Sequence, residues 1–315
     1  MANVAQIIAV SYNAVLNEKK KAANQWAESA LLHEMERQGM IKREAFGPQL
    51  EATLDFQRNP GTVVQATDLQ GLSLDKTEVL TSALYTPAEV TAPVVWSKKD
   101  EAMNSSENQK IKLATALIEN AIESHDDILE QSLFIASTNG FLGLPTHITA
   151  AQTGSSGGID PSTSTWWKNQ ANAYVNDTDI EAAMTTTWNQ CAKGSGSKLM
   201  PTLLVSDAPT QSLFEGTQQA LQRWNDTQEL KAGFKVLGFK TGRYVFSQYA
   251  GNGGAIYMLN AKNFQLKVSK DYFRDQSVSQ EIPNANGFVL KVYSALQTWV
   301  NNRSRLGIVK TASSS

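Results

Sequence analysis

Three histidines, His33, His125 and His147, and one cysteine, Cys191, are the scarce chemistry-bearing residues of this 315-residue chain. His33-Glu34-Met35-Glu36-Arg37 opens like the HExxH helix of zinc proteases, in which two histidines at i and i+4 grip the metal from one helical face. Arg37 stands where the second ligand belongs, and one imidazole cannot hold zinc. His125-Asp126-Asp127 places ligand types in a row. Helical neighbours at i+1 and i+2 point to different faces, which predicts an exposed polar face there. Gly194-Ser195-Gly196-Ser197-Lys198 has the composition of a phosphate loop, yet it precedes a strand where such a loop follows one, and reads as a turn. Cys191 lies near a helix end with no histidine close in sequence, so a buried structural thiol is expected. No two carboxylates stand out with the opposed surroundings that acid–base work requires. The residues thus predict no catalytic, cofactor-binding or metal site.

The elements around these residues follow from periodicity. Val4 to Gln38 is rich in helix formers and reads as one or two helices, broken by Lys19-Lys20-Lys21, a solvated charge run, and stopped at Gly39. Gln49–Phe56 and Glu78–Trp96 have strand character and flank a turn-rich segment with Asn59-Pro60-Gly61, which predicts a long two-stranded excursion. An isolated hairpin is marginal in water, so this one needs a surface to lie on, and another subunit would supply it. Ile111, Ala114, Leu117, Ile118, Ala121, Ile122, Leu129 and Leu133 repeat at helical spacing, predicting a helix over 107–137, capped by Ser106 with Gln109 and ended by Asn139-Gly140. At 1.5 Å per residue it would run roughly 45 Å, too long for the core of a compact domain.

Ala151–Ser164 reads as a loop. A helix over Asp179–Cys191 with a Thr178/Glu181 capping box, a strand over Thr202–Val205 and a helix over Pro209–Trp224 form an α+β module. Arg243–Gln248, Ala255–Leu259, Gln265–Val268 and Phe288–Trp299 are expected as mostly antiparallel strands, because the connections between them are too short for helical crossovers.

Composition bounds the function. A hydrophobic fraction of 41% and a charged fraction of 18% suit a folded globular chain. The net charge of −2 gives no global drive toward nucleic acid or anionic lipid. No run approaches the ~18 apolar residues of a spanning helix, so no membrane partner is expected. The opening Met1-Ala2-Asn3-Val4 lacks a secretory signal and the single cysteine makes no internal disulfide, which predicts synthesis in a reducing cytoplasm.

The order of elements, together with particular stretches, resembles the major capsid proteins of tailed bacteriophages, the Hong Kong 97-type fold, over nearly the whole chain. The stretches are Ala92-Pro93-Val94-Val95-Trp96 running into the long helix, Gly140-Phe141-Leu142-Gly143-Leu144-Pro145, and Trp166-Trp167-Lys168-Asn169-Gln170. Farther on come Pro201–Ser206, Ala255-Ile256-Tyr257-Met258-Leu259-Asn260 and Asn302-Arg303-Ser304-Arg305-Leu306-Gly307.

The resemblance implies an α+β chain with an N-terminal arm (1–43), an extended β-hairpin loop (44–100), and a peripheral domain (101–197) holding a long spine helix over 107–137. An axial domain (198–262) and the returning strands of the peripheral domain (263–315) complete it. It implies a non-enzymatic shell subunit that self-assembles into hexamers and pentamers around double-stranded DNA, with an encapsulin-like compartment shell as the alternative. Implied partners are further copies of the chain, a portal protein at one vertex, a separate scaffolding protein and a decoration protein, with weak non-specific contact to packaged DNA. The segment 1–43 is too short for a fused scaffolding domain. Implied localisation is the virion capsid, assembled in the host cytoplasm. The type member joins a lysine of its extended loop to an asparagine of a neighbour; Lys76, Lys98 and Lys99 stand in the corresponding segment here, and no cross-link is expected.

Overall fold

A computed structural model of the chain describes residues 30–59, 61–64, 76–103, 107–192, 200–220, 228–229, 235–251 and 253–312. The Lys19–Lys21 run, the Ser106 cap and the Gly194–Lys198 turn lie outside these residues. In chain order the elements begin α1 (Ala30–Arg37), β1 (Ile41–Glu44), β2 (Leu50–Asp55), β3 (Leu80–Tyr85), β4 (Ala88–Ser97), α2 (Lys98–Met103) and α3 (Glu107–Leu133). Then come β5 (Ser137–Thr138), β6 (Phe141–Leu142), α4 (Leu144–His147), β7 (Gln170–Tyr174), α5 (Ile180–Cys191), β8 (Leu203–Ser206) and α6 (Ala208–Ala220). The last are β9 (Gln228–Glu229), β10 (Lys235–Phe239), β11 (Gly242–Phe246), β12 (Ile256–Leu259), β13 (Phe264–Ser269), β14 (Asp275–Gln276), β15 (Gln280–Glu281), β16 (Gly287–Val300) and β17 (Gly307–Thr311).

Among the described residues two sheets dominate. One is built on β16, which pairs with β4 along one edge and with β13, β14 and β15 along the other, β1 adding to β13. The second runs β7-β17-β12-β8-β11-β10-β9. Both are mixed. β8 and β11 are parallel, as are β17 and β7, and β1 and β13. The C-terminal strands β11, β12, β13 and β16 pair mostly antiparallel, as expected, with β11 on β8 and β13 on β1 as the parallel exceptions. The chain between β8 and β11 contains α6, the helical crossover that parallel pairing needs, and the other parallel partners are too distant in sequence for connection length to constrain them.

The segment expected as one long second hairpin strand is two strands in different sheets. β2 pairs with β3, whereas β4 pairs with β16 over ten residues, Ala88 opposite Leu296 through Ser97 opposite Gly287. The break falls at Thr86-Pro87, where no ladder continues. The hairpin is not unsupported either. Leu50, Ala52, Leu54, Ala83 and Tyr85 are buried in the main core with Leu31, Leu32 and Met35 of α1, as the strict in–out alternation of β2 dictates. Phe56 stacks on Trp166 at 5.4 Å between ring centroids, fixing the hairpin to the loop before β7.

α3 spans 27 residues, about 40 Å at the standard rise, ending four residues before the expected boundary. Asn139-Gly140 does not end it. Both residues have positive φ, 48° and 88°, and they turn the β5–β6 hairpin instead, as a tight turn matched to strand twist requires. The stripe on α3 splits its allegiance. Ile118, Ala121 and Ile122 pack on Ala92, Val94, Trp96, Leu290 and Val292 of the first sheet. Leu129 and Leu133 enter the main core, which both sheets share. Full burial of each isoleucine is worth about 1.5–3 kcal/mol.

α5 starts after a 3-10 turn at Asp177–Asp179, and its cap position is Asp179 with no side-chain cap bond. The Thr178/Glu181 box is therefore not formed. α5 and α6 cover the second sheet through Ile180, Met184, Trp188 and Phe214.

Candidate functional site

The residues that sequence singled out for chemistry are dispersed and engaged in structure. Glu34 of the HExxH-like stretch is buried, and its carboxylate takes Arg37 at 2.6 Å and Arg243 at 3.2 Å, so it ties α1 to β11. His125 is 1% exposed, which corrects the expected exposed face. Its Nδ1 lies 3.2 Å from Asp126 Oδ1, and that carboxylate also receives Arg274 Nη2 at 2.7 Å. Cys191 is buried, as expected. Lys98 is held by Glu281 at 2.5 Å, while Lys76 and Lys99 are exposed. Among the described residues no three His, Cys, Asp or Glu side chains gather to hold a metal. Nor is any described helix long and apolar enough to cross a membrane.

His147 is fully buried between Ser156 and Thr298, each 2.8 Å from a ring nitrogen. The Thr298 hydroxyl donates to the Leu142 carbonyl, so it accepts from Nε2–H, leaving Nδ1 to accept from Ser156. Burial and the charge of Arg303 push the imidazole down to about 3. Arg303, itself buried, donates to the carbonyls of His147, Thr153 and Gly154, and burial lowers it to about 10. These groups clamp the loop around 147–154 to the C-terminal strands. They are structural, and sequence gave no sign of the arginine's part.

What remains for function is surface. α3 covers one face of the β4–β16 ladder. On the other face Glu89, Thr91, Pro93 and Val95 of β4 are exposed beside Lys291 and the half-buried Val289 and Tyr293, and Val95 keeps 55% of its surface open. The hairpin likewise turns apolar groups outward: Val64 is 97% exposed, Leu80 62% and Leu84 44%. Single exposed apolar residues are ordinary; here Val95 lies on the sheet face that α3 does not cover, and Val64, Leu80 and Leu84 lie on the hairpin and its connecting segment.

Pro93 sits in the middle of β4, opposite Lys291. The backbone N–H of Lys291 donates to Ser277 Oγ and its carbonyl accepts from Ser277 N, so its polar groups face away from β4. Pro93 is therefore in a non-bonded pair, and its nitrogen points to the outer edge of the strand, where no ladder donor is lost.

This mixed helix-and-sheet architecture matches the Hong Kong 97-type fold of phage capsid proteins. The capsid protein of cyanophage A-1(L) superposes with a TM-score of 0.64 over 87% of this chain and 90% of its own, at 14% identity. The capsid of the Myoviridae phage XM1 gives 0.56 over 88% and 91%, at 11% identity. The SrpI encapsulin of Synechococcus elongatus PCC 7942 gives 0.55 over 86% and 84%, at 10% identity. The sequence matches no family model and no curated protein.

Proposed function

We propose that this chain is a major capsid protein, a non-enzymatic subunit that self-assembles into hexamers and pentamers forming an icosahedral head around double-stranded DNA. The observation that carries the reading is the likeness to the cyanophage A-1(L) capsid over 87% of this chain and 90% of that one. In this reading 1–43 is the N-terminal arm, 44–100 the extended loop, 101–197 the peripheral domain with its spine, 198–262 the axial domain and 263–315 the returning strands. The exposed Val64, Leu80 and Leu84 of the hairpin then lie on a neighbour, whose uncovered β4–β16 face, with Val95 and Pro93, is the complementary surface. Head-to-tail contacts of this kind close into rings when the rotation permits. A portal protein, a separate scaffolding protein and a decoration protein complete the particle, which assembles in the host cytoplasm without covalent cross-links.

Electron microscopy of the purified protein tests the reading: icosahedral shells or capsomer rings are expected, and a monomer persisting across concentration, salt and pH overturns it. Covalent ladders on denaturing gels of mature particles would refute the absence of cross-links. The encapsulin likeness supports a second reading, a compartment shell around protein cargo. Nuclease-protected DNA in native particles favours the capsid, and protein cargo alone favours the compartment.

A further inference from the structure

We propose that Asp126, Asp127 and Glu130 of α3 form a three-point clasp that fixes the angle between the two sheets, and that this angle sets the curvature of the assembled shell; the second half of the proposal rests on the capsid reading above. The three carboxylates lie at the junction of the Ile118–Ile122 contact with the first sheet and the Leu129–Leu133 contact with the shared core, Asp126 and Asp127 between the two and Glu130 just after Leu129. They reach in two directions. Asp126 takes the Arg274 guanidinium at 2.7 Å, both side chains being nearly buried at 12% and 11% exposure. Arg274 leads into β14 and is held in place from the other side, its backbone N–H donating to Ser294 Oγ of β16 at 2.8 Å. It also has a φ of 51°, a left-handed conformation that a non-glycine residue keeps only where its surroundings enforce it.

The other two carboxylates meet the far end of β11 in the second sheet. Glu130 accepts from Ser247 Oγ at 2.5 Å, and Asp127 accepts from the Tyr249 hydroxyl. Ser247 is anchored in turn, its backbone N–H donating to the Ser206 carbonyl at the end of β8. Consecutive residues of a rigid helix thus hold one sheet each. Apolar packing resists separation but tolerates sliding. Charge-assisted hydrogen bonds have fixed lengths and directions, so a pair on either side of the helix defines a rotation as well as a contact.

The test uses the full-length chain and three variants. Tyr249→Phe removes one hydroxyl from the second-sheet arm, and Arg274→Met removes the first-sheet arm. Asp127→Asn is the conservative control, since its amide oxygen still accepts from Tyr249. Tyr249→Phe and Arg274→Met are expected to give shells of more than one diameter by electron microscopy, with amide exchange over 247–251 and 272–277 respectively faster by about tenfold. Asp127→Asn is expected to keep the wild-type diameter. Shells of wild-type diameter from both arm variants, or unchanged exchange in both segments, overturn the clasp. If Arg274→Met does not fold, Tyr249→Phe decides alone. If the wild-type protein forms no shells, the capsid reading fails while the exchange measurement still tests the clasp.

Discussion

Acidification should destabilise the fold through His147, and the size of the effect follows from its surroundings. The ring is fully buried, its two nitrogens are occupied as donor and acceptor, and the carbonyl of the same residue receives the Arg303 guanidinium at 2.5 Å. Burial first, and the charge of Arg303 second, depress it from 6.5 to about 3. The native state therefore keeps His147 neutral where the unfolded chain already protonates it. Stability from this group is complete above pH 6.5 and is lost as pH falls, the loss ceasing only near pH 3. Between pH 7 and pH 5 the difference in protonation amounts to about 2 kcal/mol. For a chain of this size that lowers Tm by roughly 3 °C. Thermal or urea unfolding of wild type and His147→Gln at both pH values isolates the contribution, because every other titrating group is common to the two proteins. The glutamine variant should start less stable and lose about 2 kcal/mol less on acidification. Equal losses in both would refute the buried-neutral assignment.

Three further outcomes follow from packing. Trp166→Ala removes the ring on which Phe56 stacks; hydrogen exchange in β2 and β3 should quicken with little change in α3, and uniform quickening would count against a local anchor. Arg303→Met leaves three carbonyls without their donor and should cost about 3 kcal/mol or more in urea unfolding. Gly143→Ala would put a Cβ 2.0 Å from the Ile135 carbonyl oxygen and 2.7 Å from that of Ser132; it should abolish soluble expression, and a wild-type Tm would show the junction of β6 and α4 against the end of α3 to be differently built.

Much of the architecture was legible because strong periodicity survives any tertiary context. The helical stripe from Ile118 to Leu133 and the terminal strands stand within a few residues of their expected places, β16 covering Gly287–Val300 against 288–299 expected. Other features were present in the sequence but overruled. Pro87 interrupts the apolar alternation of Glu78–Trp96, and the chain leaves one sheet for another there. His125 follows Ala121 and Ile122 by four and three residues and precedes Leu129 by four, so it sits on the buried stripe; reading its acidic neighbours instead of its phase put it on the surface. The remainder was invisible. Arg303 serves carbonyls roughly 150 residues away, and which face of β4 stays uncovered depends on where α3 comes to lie. The surfaces proposed for assembly are defined by what the rest of the chain fails to cover, a property no local pattern encodes.

In the capsid reading proposed above, a proline at an outer strand edge acquires a different meaning, because the chain would meet its own copies at high density. Among the described residues no strand pairs with the outer edge of β4, which lies beside its exposed face, and the two invite different associations. Contacts through the face are finite and directional. Those through the edge are generic backbone pairing, which any strand satisfies and which propagates without limit. Pro93 withholds a donor midway along that edge, where an added strand would need it. In that reading one residue would bias crowded subunits away from open-ended fibres, leaving side-chain complementarity to decide which neighbour is accepted.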